Sequence, residues 1–146
     1  MPTYKEVCLI GSLKFYEVFK KVESMLKNEG IQSIGPIVYR DDLHSMLEDL
    51  EHPERIFEKP RTKEEERIGT KMHIANVATT DITYIISKEG YLGRSTSVEI
   101  GVAWSFGKDI YSMEKIKDAS VEILVHGVLS PEELIKKIKE CPITPG

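Results

Sequence analysis

Apolar positions along this chain fall into short continuous runs separated by segments with helical spacing. Glu6 to Gly11 is a compact apolar run ending in Gly-Ser, which predicts a buried strand. From Phe15 to Asn28 the apolar residues are Phe15, Val18, Phe19, Val22, Met25 and Leu26, the spacing of a helix, and Asn28-Glu29-Gly30 ends it. Ile31 to Tyr39 predicts a second strand, broken by Gly35-Pro36. Asp41 to Arg67 is strongly charged and carries Pro53 and Pro60, with room for a short amphipathic helix over Asp42 to Leu50. The rest, to about Lys63, reads as a surface excursion, either a lid or partner-contact segment or a plain solvated insertion.

Order resumes at Glu64 to Ala78, a predicted helix broken by Thr79-Thr80. Asp81 to Ser87 is a β-branched strand, and a helix from Val98 to Phe106 follows, ending at Gly107. Asp109 to Met113 and Val121 to His126 predict the fourth and fifth strands. Ser130-Pro131-Glu132-Glu133 opens a last helix, with serine as N-cap, proline in the first turn and early acids. Cys141 to Gly146 is a tail.

Strands therefore alternate with helices, and most strands are apolar throughout. That combination predicts an α/β fold with a five-stranded, mainly parallel sheet covered on both faces. Ligands of such sheets bind beyond the carboxyl ends of the strands, where the strand order reverses. Two loops are predicted to meet there: Gly11-Ser12-Leu13-Lys14 after the first strand, and Gly90 to Ser97 after the third.

Composition narrows the function classes. The 146 residues fit one domain over 1–146, and 40% hydrophobic with 30% charged residues suits a soluble globular protein. No apolar run approaches the roughly 18 residues of a membrane span, and the N-terminal Met1-Pro2-Thr3-Tyr4-Lys5-Glu6 does not resemble a signal peptide, so no membrane association and a cytoplasmic location are expected. A net charge of −4 gives no footprint for duplex nucleic acid. The two cysteines support neither a disulfide framework nor a metal site; Cys8 reads as core packing and Cys141 belongs to the tail. His44, His52 and His126 are scattered, without metal-ligand spacing.

The candidate chemistry gathers around Glu99, the one charge from Val98 to Phe106 in a helix otherwise apolar or small. A helix apolar nearly all round is buried, and a carboxylate there costs free energy unless it is paired or used. The opposing reading is structural: Thr96-Ser97-Val98-Glu99 fits the S/T-x-x-E capping box, with Glu99 bonded back to the cap N–H. Both readings place the carboxylate in the first helical turn, where the helix dipole favours ionisation.

The preceding loop, Gly93-Arg94-Ser95-Thr96-Ser97, offers a glycine, three hydroxyls and a guanidinium at a helix start, which suits a phosphate or ribose. Simple N-capping explains one hydroxyl of the three. Ser12 and Lys14 face the same choice between ligand contacts and a cap with a solvated lysine. His73, in Lys71-Met72-His73-Ile74-Ala75-Asn76, is either structural or functional. The absence of G-x-G-x-x-G and G-K-[ST] argues against dinucleotide redox chemistry and ATP hydrolysis, and no G-x-S-x-G supports a serine hydrolase.

The same residues resemble the nucleoside 2-deoxyribosyltransferase-like family, including its deoxynucleoside 5′-monophosphate N-glycosidase branch. The likeness runs through Val7-Cys8-Leu9-Ile10-Gly11-Ser12, Thr80-Asp81-Ile82, Gly90-Tyr91-Leu92-Gly93, Glu99-Ile100-Gly101-Val102-Ala103 and Gly107-Lys108-Asp109-Ile110, about two-thirds of the chain. The resemblance implies a flavodoxin-like, Rossmann-like three-layer sandwich, usually in a homodimer or higher homo-oligomer. It implies an enzyme without cofactor or metal, acting on the bond between nucleobase and (deoxy)ribose of a small-molecule nucleoside or nucleotide. Glu99 would attack the anomeric carbon, and a second base or water would release the sugar from the resulting intermediate.

Gly93 and Ser95 to Ser97 would hold the 5′ end, with Arg94, their hydroxyls favouring a phosphate. Gly11, Ser12, Lys14, Phe15 and Tyr91 would line the crevice. Members of that family carry an aspartate on the helix before the third strand, and the nearest match here is His73, with no acid from Lys71 to Thr80. A histidine can protonate a departing base. The missing aspartate equally fits a nucleotide-binding or sensing module of the same fold without catalysis.

Overall fold

The computed structural model describes residues 2–36 and 63–144. The anticipated helix at 42–50 and most of the charged excursion lie outside the described residues, as do positions 37–39 of the anticipated second strand. Among the described residues the elements are β1 (Val7–Gly11), α1 (Tyr16–Asn28), β2 (Ser33–Ile34), α2 (Lys63–Thr79) and β3 (Ile82–Ile86), then α3 (Arg94–Ser105), β4 (Asp109–Ser112), α4 (Ala119–Glu122), β5 (Gly127–Val128) and α5 (Pro131–Glu140).

The strands form one five-stranded sheet in the order β2-β1-β3-β4-β5, and every neighbouring pair is parallel. This is the flavodoxin-like doubly wound order, with its switch point between β1 and β3. Alternation along the strands sorts the core into two layers. Val7, Leu9, Ile82, Tyr84 and Ile86 pack with Phe19, Val22 and Leu26 of α1 and with Leu134 and Ile138 of α5. Cys8, Ile10, Ile85 and Ile110 point the other way, onto Val77 of α2 and Ile100 and Ala103 of α3.

The carboxyl ends of β1 and β3 run so close that Gly11 is obligatory. Its φ is +148°, and a Cβ there would stand 2.4 Å from the Ile86 carbonyl oxygen. Gly90 is constrained likewise: φ is +74° and a Cβ would meet the Lys115 carbonyl at 2.8 Å.

One anticipated element is wrong. Val121 to His126 is not a strand: the Asp118 side chain accepts from the Ser120 N–H at 3.0 Å and starts the short helix α4. The apolar run Val121, Leu124, Val125 packs onto the α2/α3 layer from that turn. A local cap outweighs strand propensity here, and the edge strand begins only at Gly127. Beside it, His126 ties into β4 by donating its N–H to the Ile110 carbonyl (2.8 Å) and accepting the Ile110 N–H on Nδ1 (2.9 Å). No helix among the described residues is long and apolar enough to cross a membrane.

Candidate functional site

The two loops at the switch point do meet. Ser12 closes β1 and caps the 3-10 turn Leu13–Phe15, its hydroxyl accepting from the Lys14 N–H at 3.4 Å. From that turn Phe15 reaches Tyr91 of the second loop edge-on, with ring centroids 6.2 Å apart. The Lys14 ammonium lies 3.2 Å over the Tyr91 ring, so this lysine is seated on an aromatic face, a favourable cation–π arrangement.

The second loop delivers α3, which starts at Arg94 with Gly93 as N-cap, four residues before Val98, where the apolar pattern begins. Nothing among the described atoms stands within 4 Å of where a Gly93 Cβ would lie, so the helix start is open. Arg94 and Ser95 are exposed there, and the half-buried Ser97 donates its hydroxyl to the Gly93 carbonyl at 3.3 Å. Thr96 is buried.

The early helix start overturns the capping-box reading. With Arg94 as the first helical residue, Thr96 is not a cap and Glu99 falls in the second turn. Glu99 is buried, its side chain 8% exposed, and it faces His73 of α2 with Oε1 3.7 Å from Nε2. The expectation of an ionised carboxylate also fails. Burial pushes the Glu99 carboxyl from 4.5 up to about 8, and burial drives His73 from 6.5 down to about 4. The separation is within ion-pair range, but burial penalises charge on both partners. Burial therefore favours the neutral carboxyl and the neutral imidazole.

Around this pair runs a seam of buried polar atoms that the sequence reading did not single out. Cys8 has its thiol pushed up to about 12 by burial and by the Glu99 charge. Thr83 on β3 and Ser87 just beyond it, each two residues from Ile85 and on its face, are fully buried, and their hydroxyls have no partner among the described residues. Strand alternation pointed them at α2 and α3, and a polar residue on an inward position was the available signal. Both ring nitrogens of His73 and Nδ2 of Asn76 are likewise buried with no hydrogen-bond partner among the described residues.

A separate cavity of about 530 Å³ lies at the opposite, amino end of the strands, lined by residues including Glu6, Glu23, Lys27, Ser33, Asn76 and Thr80. No group of three or more His, Cys, Asp or Glu suited to a metal occurs among the described residues.

No family model and no curated protein matches the sequence. Solved structures do match the fold. A 2-deoxyribosyltransferase from the psychrotolerant bacterium Bacillus psychrosaccharolyticus superposes with a TM-score of 0.61 at 16% identity, covering 89% of this chain and 90% of that one. A conserved protein from Enterococcus faecalis V583 gives 0.51 at 12% identity, covering 93% and 98%. The CMP N-glycosidase BcmB of Clostridium botulinum gives 0.48 at 14% identity over 94% and 100%, too low a score to add to the assignment. The chain has the fold of a 2-deoxyribosyltransferase.

Proposed function

We propose that the protein is an enzyme that cleaves or transfers at the N-glycosidic bond of a (deoxy)nucleoside or its 5′-monophosphate, with Glu99 as nucleophile. The supporting observation is a buried carboxyl 3.7 Å from an imidazole, on the helix that leaves the switch point, in a fold shared with a 2-deoxyribosyltransferase. Arg94, Ser95 and Ser97, with the first N–H groups of α3, suit a 5′-phosphate. Ser12, Lys14, Phe15 and Tyr91 line the opposite lip, where the Lys14 ammonium over the Tyr91 ring can meet a polar group of the substrate.

The proton on Glu99 gives His73 a role. As a Glu99 oxygen bonds to the anomeric carbon, its proton passes to His73 Nε2. The carbon–nitrogen bond breaks, its electron pair leaves with the base, and His73 returns the proton to that base. Water, or a second base, then attacks the anomeric carbon and gives its proton to His73. The ester bond to Glu99 breaks and the released carboxylate regains the proton. Transfer to His73 is uphill in the free protein, because His73 is the weaker base of the two. Positive charge developing on the sugar favours the carboxylate and offsets that cost.

The near-closure of Glu99 and its neutral form favour a second reading, a nucleotide-binding module without turnover. One experiment separates the two: incubate the protein with a panel of (deoxy)nucleosides and their monophosphates and assay free base by chromatography. Release that vanishes in Glu99→Ala is expected. Undiminished release in that variant refutes the nucleophile, while saturable binding, thermal stabilisation and no release support the binding module.

A further inference from the structure

We propose that α2 is the movable wall of the candidate site: its first ten residues, Lys63 to Met72, lift from α3 about an anchor at Val77 and open the way to Glu99. The inference rests on the reading of Glu99 given above, but its first observable does not.

α2 is held at one end only. Among the side chains described from Lys63 to Met72, every one is exposed, and the one buried position is Gly69, which has no side chain. The large apolar residues of this stretch, Ile68 and Met72, are 42% and 47% exposed. The first buried side chain is His73, and the first buried apolar one is Val77, packed with Cys8, Ile10, Ile85 and Ile100. α1, by contrast, buries Phe19, Val22 and Leu26 along its length, and α5 buries Leu134 and Ile138. A stretch with few buried apolar contacts opens at low free energy.

The loose end is also the end nearer the site. In a parallel sheet the helix between two strands runs back against them. α2 feeds the amino end of β3, so Thr79 lies near that end and Lys63 about 24 Å away, toward the switch-point loops. Glu99, its side chain 8% exposed, faces His73 of α2, so part of its cover comes from this helix. Closure carries a cost of its own, because both ring nitrogens of His73 and Nδ2 of Asn76 are buried with no partner among the described residues. Water reaches those groups when α2 lifts, and their desolvation therefore opposes closure. A sugar entering between α2 and α3 meets the same groups as hydrogen-bond partners.

A lifted ten-residue helix is marginal in water, so opening shows as hydrogen exchange. Exchange is followed by mass spectrometry in the free protein at pH 7, with no substrate present. Amides of 67–74 are expected to exchange about a hundredfold faster than those of 20–28 in α1. Equal protection in the two helices overturns the proposal. His73→Leu supplies an apolar anchor at a buried position and removes two orphaned nitrogens. In that variant exchange over 67–74 is expected to slow about tenfold, with α1 unchanged. Exchange that stays the same or quickens there also overturns the inference. If no substrate releases a base, the glycosidic reading fails, and the exchange of the free protein still decides whether α2 opens.

Discussion

The segments Ser130 to Glu133 and Thr96 to Glu99 share the S/T-x-x-E spacing, and only the first closes a capping box. At the start of α5 the Ser130 hydroxyl accepts from the Glu133 N–H at 3.2 Å, and Glu133 accepts from the Ser130 N–H at 3.1 Å. Those bonds hold the exposed Glu133 carboxyl below its ordinary range. At α3 the helix has already begun at Arg94, and Glu99 is carried into the layer between sheet and helices, where burial raises its carboxyl to about 8. One pattern yields a solvated structural anion in one place and a neutral buried acid in the other. A capping signature names a helix start only when nothing upstream starts the helix sooner; here the open loop at Gly93 does.

The contrast is broken most sharply by activity. Glu99→Gln is expected to lower base release by on the order of 10³-fold, while Glu133→Gln leaves it unchanged, both read in a single-turnover assay. Comparable losses in the two would mean that Glu99 acts only through stability.

A smaller effect lies in the pH dependence of stability. The folded pKa of Glu99 is raised, so its contribution is fully present below 4.5 and is lost as pH climbs through about 8. His73 is lowered, so its contribution is complete above 6.5 and is lost as pH falls through about 4. Between pH 6.5 and 8 Glu99 dominates, and unfolding free energy from urea melts is expected to fall by on the order of 1 kcal/mol. In Glu99→Gln that decline should disappear, whereas in Glu133→Gln it should persist. A wild-type curve flat over this window would show that Glu99 is ionised already.

The smallest effect is the cap itself: Ser130→Ala is expected to cost about 1 kcal/mol in the same melts at any pH from 6 to 8. A loss within error would remove the structural half of the contrast.

The fold was largely legible because its signals are local or periodic. The apolar runs at Val7 to Gly11 and Ile82 to Ile86, and the helical spacing of Phe19, Val22 and Leu26, give the same elements in the sequence and in the structure. The failure at Val121 to His126 has the same root: a short apolar run fits a strand or a buried helical turn equally, and Asp118 tipped the balance. At the candidate site, the pairing of Phe15 with Tyr91 follows from where two loops leave adjacent strands. The partnership of His73 with Glu99 was signalled only by the family resemblance, which set His73 at the place of an aspartate, since the two lie on different helices 26 residues apart.

The sequence by itself determined most of the strands and helices, that the sheet is parallel and covered on both faces, and which two loops stand at its switch point. Hydrophobic period and glycine placement act over a few residues, and that is enough for those features. Tertiary structure alone decided the turn in which Glu99 sits, what faces it, and which form it takes at neutral pH. A carboxyl's ionisation follows from the water removed around it, and neighbours distant in the chain remove that water.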